Sequence, residues 1–133
     1  MAKIQITYDG IQHCTALQAK NMKTVPIDCP YTGKGAEFSS GELVAAGVAS
    51  CMLMSMGSVA QRNEIDLSNT CIDADFALTK DFSRIDGIDL TVNMPSNFSR
   101  RDRIRLERAA EACPIKHSFH TDVKISVRYV YPE

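Results

Sequence analysis

Neither sign of charge prevails in this sequence: 15 basic residues stand against 16 acidic ones. There is no global field to gather nucleic acid or an anionic membrane. Met1 to Asp9 alternates polar and apolar residues and lacks the continuous apolar stretch of a secretory signal, so the expected compartment is cytoplasmic. The five cysteines form no tight C-x-x-C pair, which argues against a disulfide framework or a zinc ribbon and for reduced thiols. No repeat, linker or low-complexity tract interrupts the chain. Its 133 residues are therefore expected to form a single domain, 1–133, large enough for a core and small enough to lean on a partner. Arginine is missing from the first part of the chain, and the first one is Arg62.

What is present centres on Ser39 to Arg62, SSGELVAAGVASCMLMSMGSVAQR. Leu43 to Ala60 carries no charge and is small or apolar on every side of a helical wheel, and such a helix is expected to be buried. Ser39 or Ser40 caps its start, and Glu42 in the first turn suits the positive end of the helix dipole. The segment approaches the length of a membrane span. Its many Gly, Ala and Ser residues and the scarcity of aromatics at its edges argue against one.

Upstream, Lys3 to Tyr8 and Cys14 to Leu17 alternate around Asp9-Gly10, which predicts a hairpin, with Thr24 to Ile27 as a third strand. Pro30 to Phe38 is a polar loop leading into the helix. Downstream, Asn63 and Asp66 close the helix, and Leu67 to Leu78 and Ile85 to Met94 flank a turn at Lys80 to Arg84. Asn97 or Ser99 caps a second helix, Arg100 to Cys113, with Ile104, Leu106, Ala109, Ala110 and Cys113 roughly along one side. Pro114 stops it and Val123 to Tyr131 is a last strand. The order β-β-β-α-β-β-α-β makes an α+β unit.

Cys51 and Cys113 are the cysteines to weigh, because each lies on a helix expected in the core; a disulfide between them needs Cα atoms about 4.4–6.8 Å apart. A new helical turn at Pro114 places Cys113 at its cap, where the dipole lowers a thiol pKa, whereas Cys51 needs a cation from another element. Both thiols also read as small core hydrophobes. His117 and His120 with Cys113 give C-x3-H-x2-H, but without a fourth ligand at matching spacing they read as surface histidines, and no metal or cofactor is expected. Arg100, Arg101, Arg103, Arg105 and Arg108 interleave with Asp102, Glu107 and Glu111, as on a solvated helix face, so a nucleic-acid patch is the lesser alternative. Cys14, Cys29 and Cys71 read as spare thiols.

ELVAAGVASC and RAAEACPIKHSF, with 61 residues between Cys51 of the first and Cys113 of the second, together resemble the OsmC/Ohr family of thiol-dependent hydroperoxide reductases, over most of the chain from about Tyr8. The resemblance implies an OsmC-like fold in an intertwined homodimer, two long helices wrapped by sheets of both subunits. It implies Cys51 as peroxidatic and Cys113 as resolving cysteine, a small organic hydroperoxide as substrate and a thiol reductant, a dihydrolipoyl group in some members. The family's arginine and glutamate have no match in place. Gly41 stands where the glutamate is usual, with Glu42 one residue later, and Gln12 and His13 stand where the arginine falls; Glu42, His13 and Gln12 are thus the candidate activating or pocket residues. The alternative is a non-enzymatic protein of the same fold that binds a small apolar ligand or senses redox state.

Overall fold

A computed structural model describes residues 3–133. The chain divides into two compact units, one up to Leu43 and one from Val44 to Glu133.

The first unit is an antiparallel meander of β1 (Ile4–Gly10), β2 (His13–Gln18) and β3 (Lys23–Asp28), in that order across the sheet. The hairpin is where the alternation predicts it, but the turn is not. Ile11 and Gln12 make the turn, at φ 51° and 56°, while Gly10 pairs with His13 after a register shift between Tyr8 and Gly10. Glycine's freedom is thus used for a bulge, and a β-branched residue takes the left-handed turn position that usually costs strain. Asp9 stays in the strand because its carboxylate is occupied: it accepts from the Thr15 hydroxyl at 2.6 Å and pairs with His13 Nδ1 at 2.9 Å. After β3 the loop folds back, Asp28 donating its backbone N–H to the Phe38 carbonyl and accepting from the Ala36 N–H through Oδ2. At Gly33 an added Cβ would run into Asp28 Oδ1 and the Cys29 carbonyl, so the loop closes on the carboxylate only with glycine there. On β1, Ile4, Ile6 and Tyr8 alternate along one face and are all more than half exposed.

Helix α1 (Ser40–Arg62) starts from a reciprocal cap: Ser39 Oγ accepts from the Glu42 N–H at 3.1 Å, and Glu42 Oε1 accepts from the Ser39 N–H at 2.8 Å. This is a capping box, a local reason for the helix to begin there. The expectation that α1 is buried all round does not hold for the single chain. Ala45, Val48, Ala49, Met52, Met56 and Ala60 form a buried stripe at helical spacing, while Met54 is 67% exposed and Val44 38%. Along its most apolar window 33% of residues are buried. One flank of α1 is covered by its own chain and the other is not.

The second unit covers that flank with a three-stranded sheet and a second helix. β4 (Cys71–Leu78) runs antiparallel to β5 (Ile85–Asn93), and β6 (Lys124–Val130) pairs parallel to β5. A parallel pair needs a crossover, and α2 (Arg100–Glu111) lies within it. Ser99 caps α2 through the Asp102 N–H. Ile88, Leu90 and Val92 alternate inward from β5 and join the α1 stripe, Leu106, Ala110 and Cys113 in one core. Ile104 is 39% exposed, away from the side expected to be apolar. α2 also stops two residues early. Ala112 is its C-cap, Pro114 has no N–H to continue the ladder, and the chain passes into a short 3-10 turn at Lys116–Ser118.

Candidate functional site

The two cysteines singled out by the sequence meet in the second unit. Cys51 comes from the middle of α1, beside the buried stripe, and is half-buried; Cys113 follows the C-cap of α2 and is fully buried. The stop of α2 at Ala112 and the turn begun by Pro114 leave the Cys113 thiol a neighbour of that of Cys51. Both are free thiols. The Cys113 sulfur also accepts from the Lys116 N–H at 3.4 Å.

The charge balance at Cys113 is the reverse of the helix-cap expectation. Burial first, and then the neighbouring Cys51 thiol, push the Cys113 thiol above its ordinary value; the Lys116 and Ile115 amides pull the other way and lose. The helical turn that begins here is three residues long, too short for an appreciable dipole, and a buried sulfur has little water to support a charge.

A polar frame that the sequence did not reveal holds this corner. Glu111 takes the Lys116 ammonium at 3.0 Å and the Tyr129 hydroxyl at 3.0 Å, and its carbonyl bonds His117 Nε2 at 2.8 Å. Tyr131 donates to Glu107 and carries the Arg103 guanidinium over its ring, 3.9 Å from the centroid. Burial, together with the adjacent carboxylates, pushes both tyrosines well above their ordinary range. Arg103 is further fixed by the Phe98 carbonyl and Asn97, and Arg105 by Asn63 at 2.8 Å. The arginine run is thus partly structural, not a uniformly solvated face. Its only sequence signal was the placing of Glu107 and Glu111 one turn apart, opposite tyrosines in the last strand.

The other candidates belong to the first unit and have their own partners. Glu42 is used in the capping box. His13 is paired with Asp9, whose carboxyl is held below its ordinary value first by the Thr15 hydroxyl and then by His13. Gln12 is a turn residue whose backbone N–H reaches the Tyr8 hydroxyl at 3.3 Å. Cys29 is less idle than its sequence context suggested: the Thr32 hydroxyl lies 3.2 Å from its sulfur and, with the Thr32 and Tyr31 amides, lowers the thiol below its ordinary value. Among the described residues no three His, Cys, Asp or Glu side chains gather as a metal site, and His120 pairs with Asp122 instead.

The sequence profile of the family described as OsmC-like protein matches residues 33–128. Among solved structures, an osmotic stress induced and detoxification response protein from Psychrobacter arcticus superposes with a TM-score of 0.91 at 26% identity, over 98% of this chain and 96% of that one. The organic hydroperoxide resistance protein OhrB of Bacillus subtilis gives a TM-score of 0.72 at 23% identity, covering 98% of each chain. A protein from Legionella pneumophila, described as organic hydroperoxide resistance protein OsmC, gives 0.74 at 16% identity, over 95% of this chain and 93% of that one. A search of curated protein sequences finds no significant match.

Proposed function

The chain belongs to the OsmC-like protein family, and from that premise we propose that it is a thiol-dependent hydroperoxide reductase, or a closely related thiol-disulfide oxidoreductase, acting as a homodimer. The observation that carries this is the meeting of two free thiols, one half-exposed and one buried, at Cys51 and Cys113. Solved structures of the same fold bear the description of organic hydroperoxide resistance proteins, which supports the substrate class.

The chemistry runs in two steps. The Cys51 thiolate attacks the terminal oxygen of an organic hydroperoxide; an S–O bond forms, the O–O bond breaks, and the alkoxide leaves and takes a proton from water. Sulfur loses two electrons and the peroxide gains them. Cys113 then displaces the hydroxyl of the sulfenic acid, giving the Cys51–Cys113 disulfide and water, and a dithiol reductant restores both thiols by exchange. Cys51 is the attacking sulfur because it is the more exposed of the two.

One observation favours a second reading, a ligand-binding or redox-sensing protein of the same fold. No arginine precedes Arg62, Glu42 is engaged in its cap and His13 in its pair with Asp9. Intact-mass analysis after one equivalent of a bulky organic hydroperoxide separates the two. The reductase gains one oxygen at Cys51 or loses two hydrogens on forming the disulfide, and Cys51→Ser does neither; an unchanged mass sinks the reductase reading.

A further inference from the structure

Helix α2 ends at Glu111 with Ala112 as its C-cap, and the buried Cys113 follows. Pro114 has no N–H with which to carry the ladder on, so the helix itself does not hold the Cys113 thiol. The backbone on either side of it is tied by long bonds, from the Cys113 N–H to the Ala110 carbonyl at 3.2 Å and from the His117 N–H to the Cys113 carbonyl at 3.4 Å, at or beyond the far end of the usual range. Across this break Glu111 makes three shorter contacts. Its carboxylate accepts from Lys116 Nζ at 3.0 Å and from the Tyr129 hydroxyl at 3.0 Å, and its carbonyl bonds His117 Nε2 at 2.8 Å. Lys116 and His117 belong to the 3-10 turn after Cys113 and Tyr129 to β6. The Lys116 side chain is only 18% exposed, so this pair is less screened by water than a surface pair. The last residue of α2 thus grips the far side of the turn that follows Cys113 and ties it to the sheet.

We infer that Glu111 is a positioning residue for the resolving cysteine: its carboxylate, bridging Lys116 and Tyr129, clamps the turn at residues 114–118 and so fixes where the Cys113 thiol stands when it attacks. In that step the Cys113 sulfur bonds to the sulfenic sulfur of Cys51, the S–O bond breaks, and the hydroxyl leaves as water with the proton of the Cys113 thiol. Holding a nucleophile in its attacking geometry removes a search from the barrier. The Lys116 N–H, 3.4 Å from the Cys113 sulfur, passes the clamp on to the thiol, because the same residue is held by Glu111 through its side chain. Glu111, Lys116 and Tyr129 all lie outside α1, so the clamp has no part in the attack of Cys51 on the peroxide.

The inference rests on the reductase reading for its chemistry, and the experiment separates the two. In the full-length protein, three rates are measured for the parent, Glu111→Ala and Lys116→Met: sulfenic acid formation at Cys51 in a single turnover, closure of the disulfide that follows and, without peroxide, site-resolved alkylation of Cys113. Glu111→Ala removes both arms of the carboxylate. Lys116→Met removes only the ion pair, keeps the backbone amide on the sulfur, and decides the matter should the first variant not fold. A buried thiol is alkylated when its turn opens, and losing a hydrogen bond to a charged group should raise that opening, and the alkylation of Cys113, about tenfold. In the closed form the sulfur is less well aimed, and closure of the disulfide should slow about tenfold in Glu111→Ala and less in Lys116→Met. Sulfenic acid formation should match the parent in both, a split that a general loss of stability does not produce. Closure at the parental rate or faster in both variants, or sulfenic acid formation that falls along with closure, overturns the inference. Absence of sulfenic acid in every protein overturns the reductase reading instead; the alkylation of Cys113 then decides the clamp, which stands if the rate rises in the variants and falls if it does not.

Discussion

At the scale of single residues, the missing arginine is the feature with most consequence. A guanidinium brings a permanent charge and a planar fork, whereas a thiol or a histidine offers one donor. The family resemblance puts that arginine near Gln12 and His13. Of the two, Gln12 is the better place to restore it: His13 is already bonded to Asp9, whose carboxylate would capture an incoming guanidinium. Gln12 sits at φ 56°, a conformation no worse for arginine than for glutamine. We expect Gln12→Arg to raise the rate of Cys51 oxidation by bulky hydroperoxide by about tenfold, since one pKa unit of added support is tenfold in thiolate. A single-turnover rate unchanged from the parent would show that activation does not come from this hairpin. The two cysteine segments stood out in sequence because their flanking motifs are local. The uses of Glu42 and His13 were not, because a capping box and an Asp-His pair depend on which neighbours a side chain meets once the backbone is set.

At the scale of elements, the order of strands and helices was readable from alternation and caps, and the errors fall where one residue type has two uses. Asp9-Gly10 is a strong turn signal, yet Gly10 serves as a bulge and the turn moves to Ile11–Gln12. Helix α1 begins where Ser39 and Glu42 say it should. Ser39→Ala should cost about 1 kcal/mol of stability in denaturant melts, with little effect on Cys51 chemistry; a much larger loss of reactivity would assign Glu42 a role beyond the cap. The turn between β4 and β5 carries its own pH signature. The Thr79 hydroxyl, then the Ser83 hydroxyl and amide, hold Asp81 down to about 2, against an ordinary 3.8. A carboxyl whose folded value is depressed contributes stability above its unfolded value and loses it as pH falls through the folded one. Asp81→Asn should therefore lower the melting temperature at pH 7, with the difference shrinking between pH 4 and pH 2. A difference that persists unchanged at pH 2 would mean the carboxylate charge is not what stabilises the turn.

At the scale of the whole molecule, the apolar surface left over by the single chain decides what the protein must do next. The uncovered flank of α1 carries Val44 and Met54 with no charge from Leu43 to Ala60, and β1 presents Ile4, Ile6 and Tyr8 on one open face. A helix of that composition was expected to be buried, and the reason it is not is arithmetic: the sheet β4-β5-β6 and the 12-residue α2 have one face and one stripe to offer, enough for one side of a 23-residue helix. Exposed apolar faces of this kind mark an interface, and self-association about a two-fold axis covers equivalent surfaces on both copies at once. We therefore expect an obligate homodimer, with Met54 in its interface. Light scattering should give twice the chain mass at micromolar concentration. Met54→Lys, which puts a charge on the uncovered flank without touching the buried stripe, should dissociate or unfold the protein. A folded monomer of the parent chain at that concentration would remove the dimer from the proposal. A Met54→Lys variant that remained a dimer would leave the assembly standing and move its interface to another face.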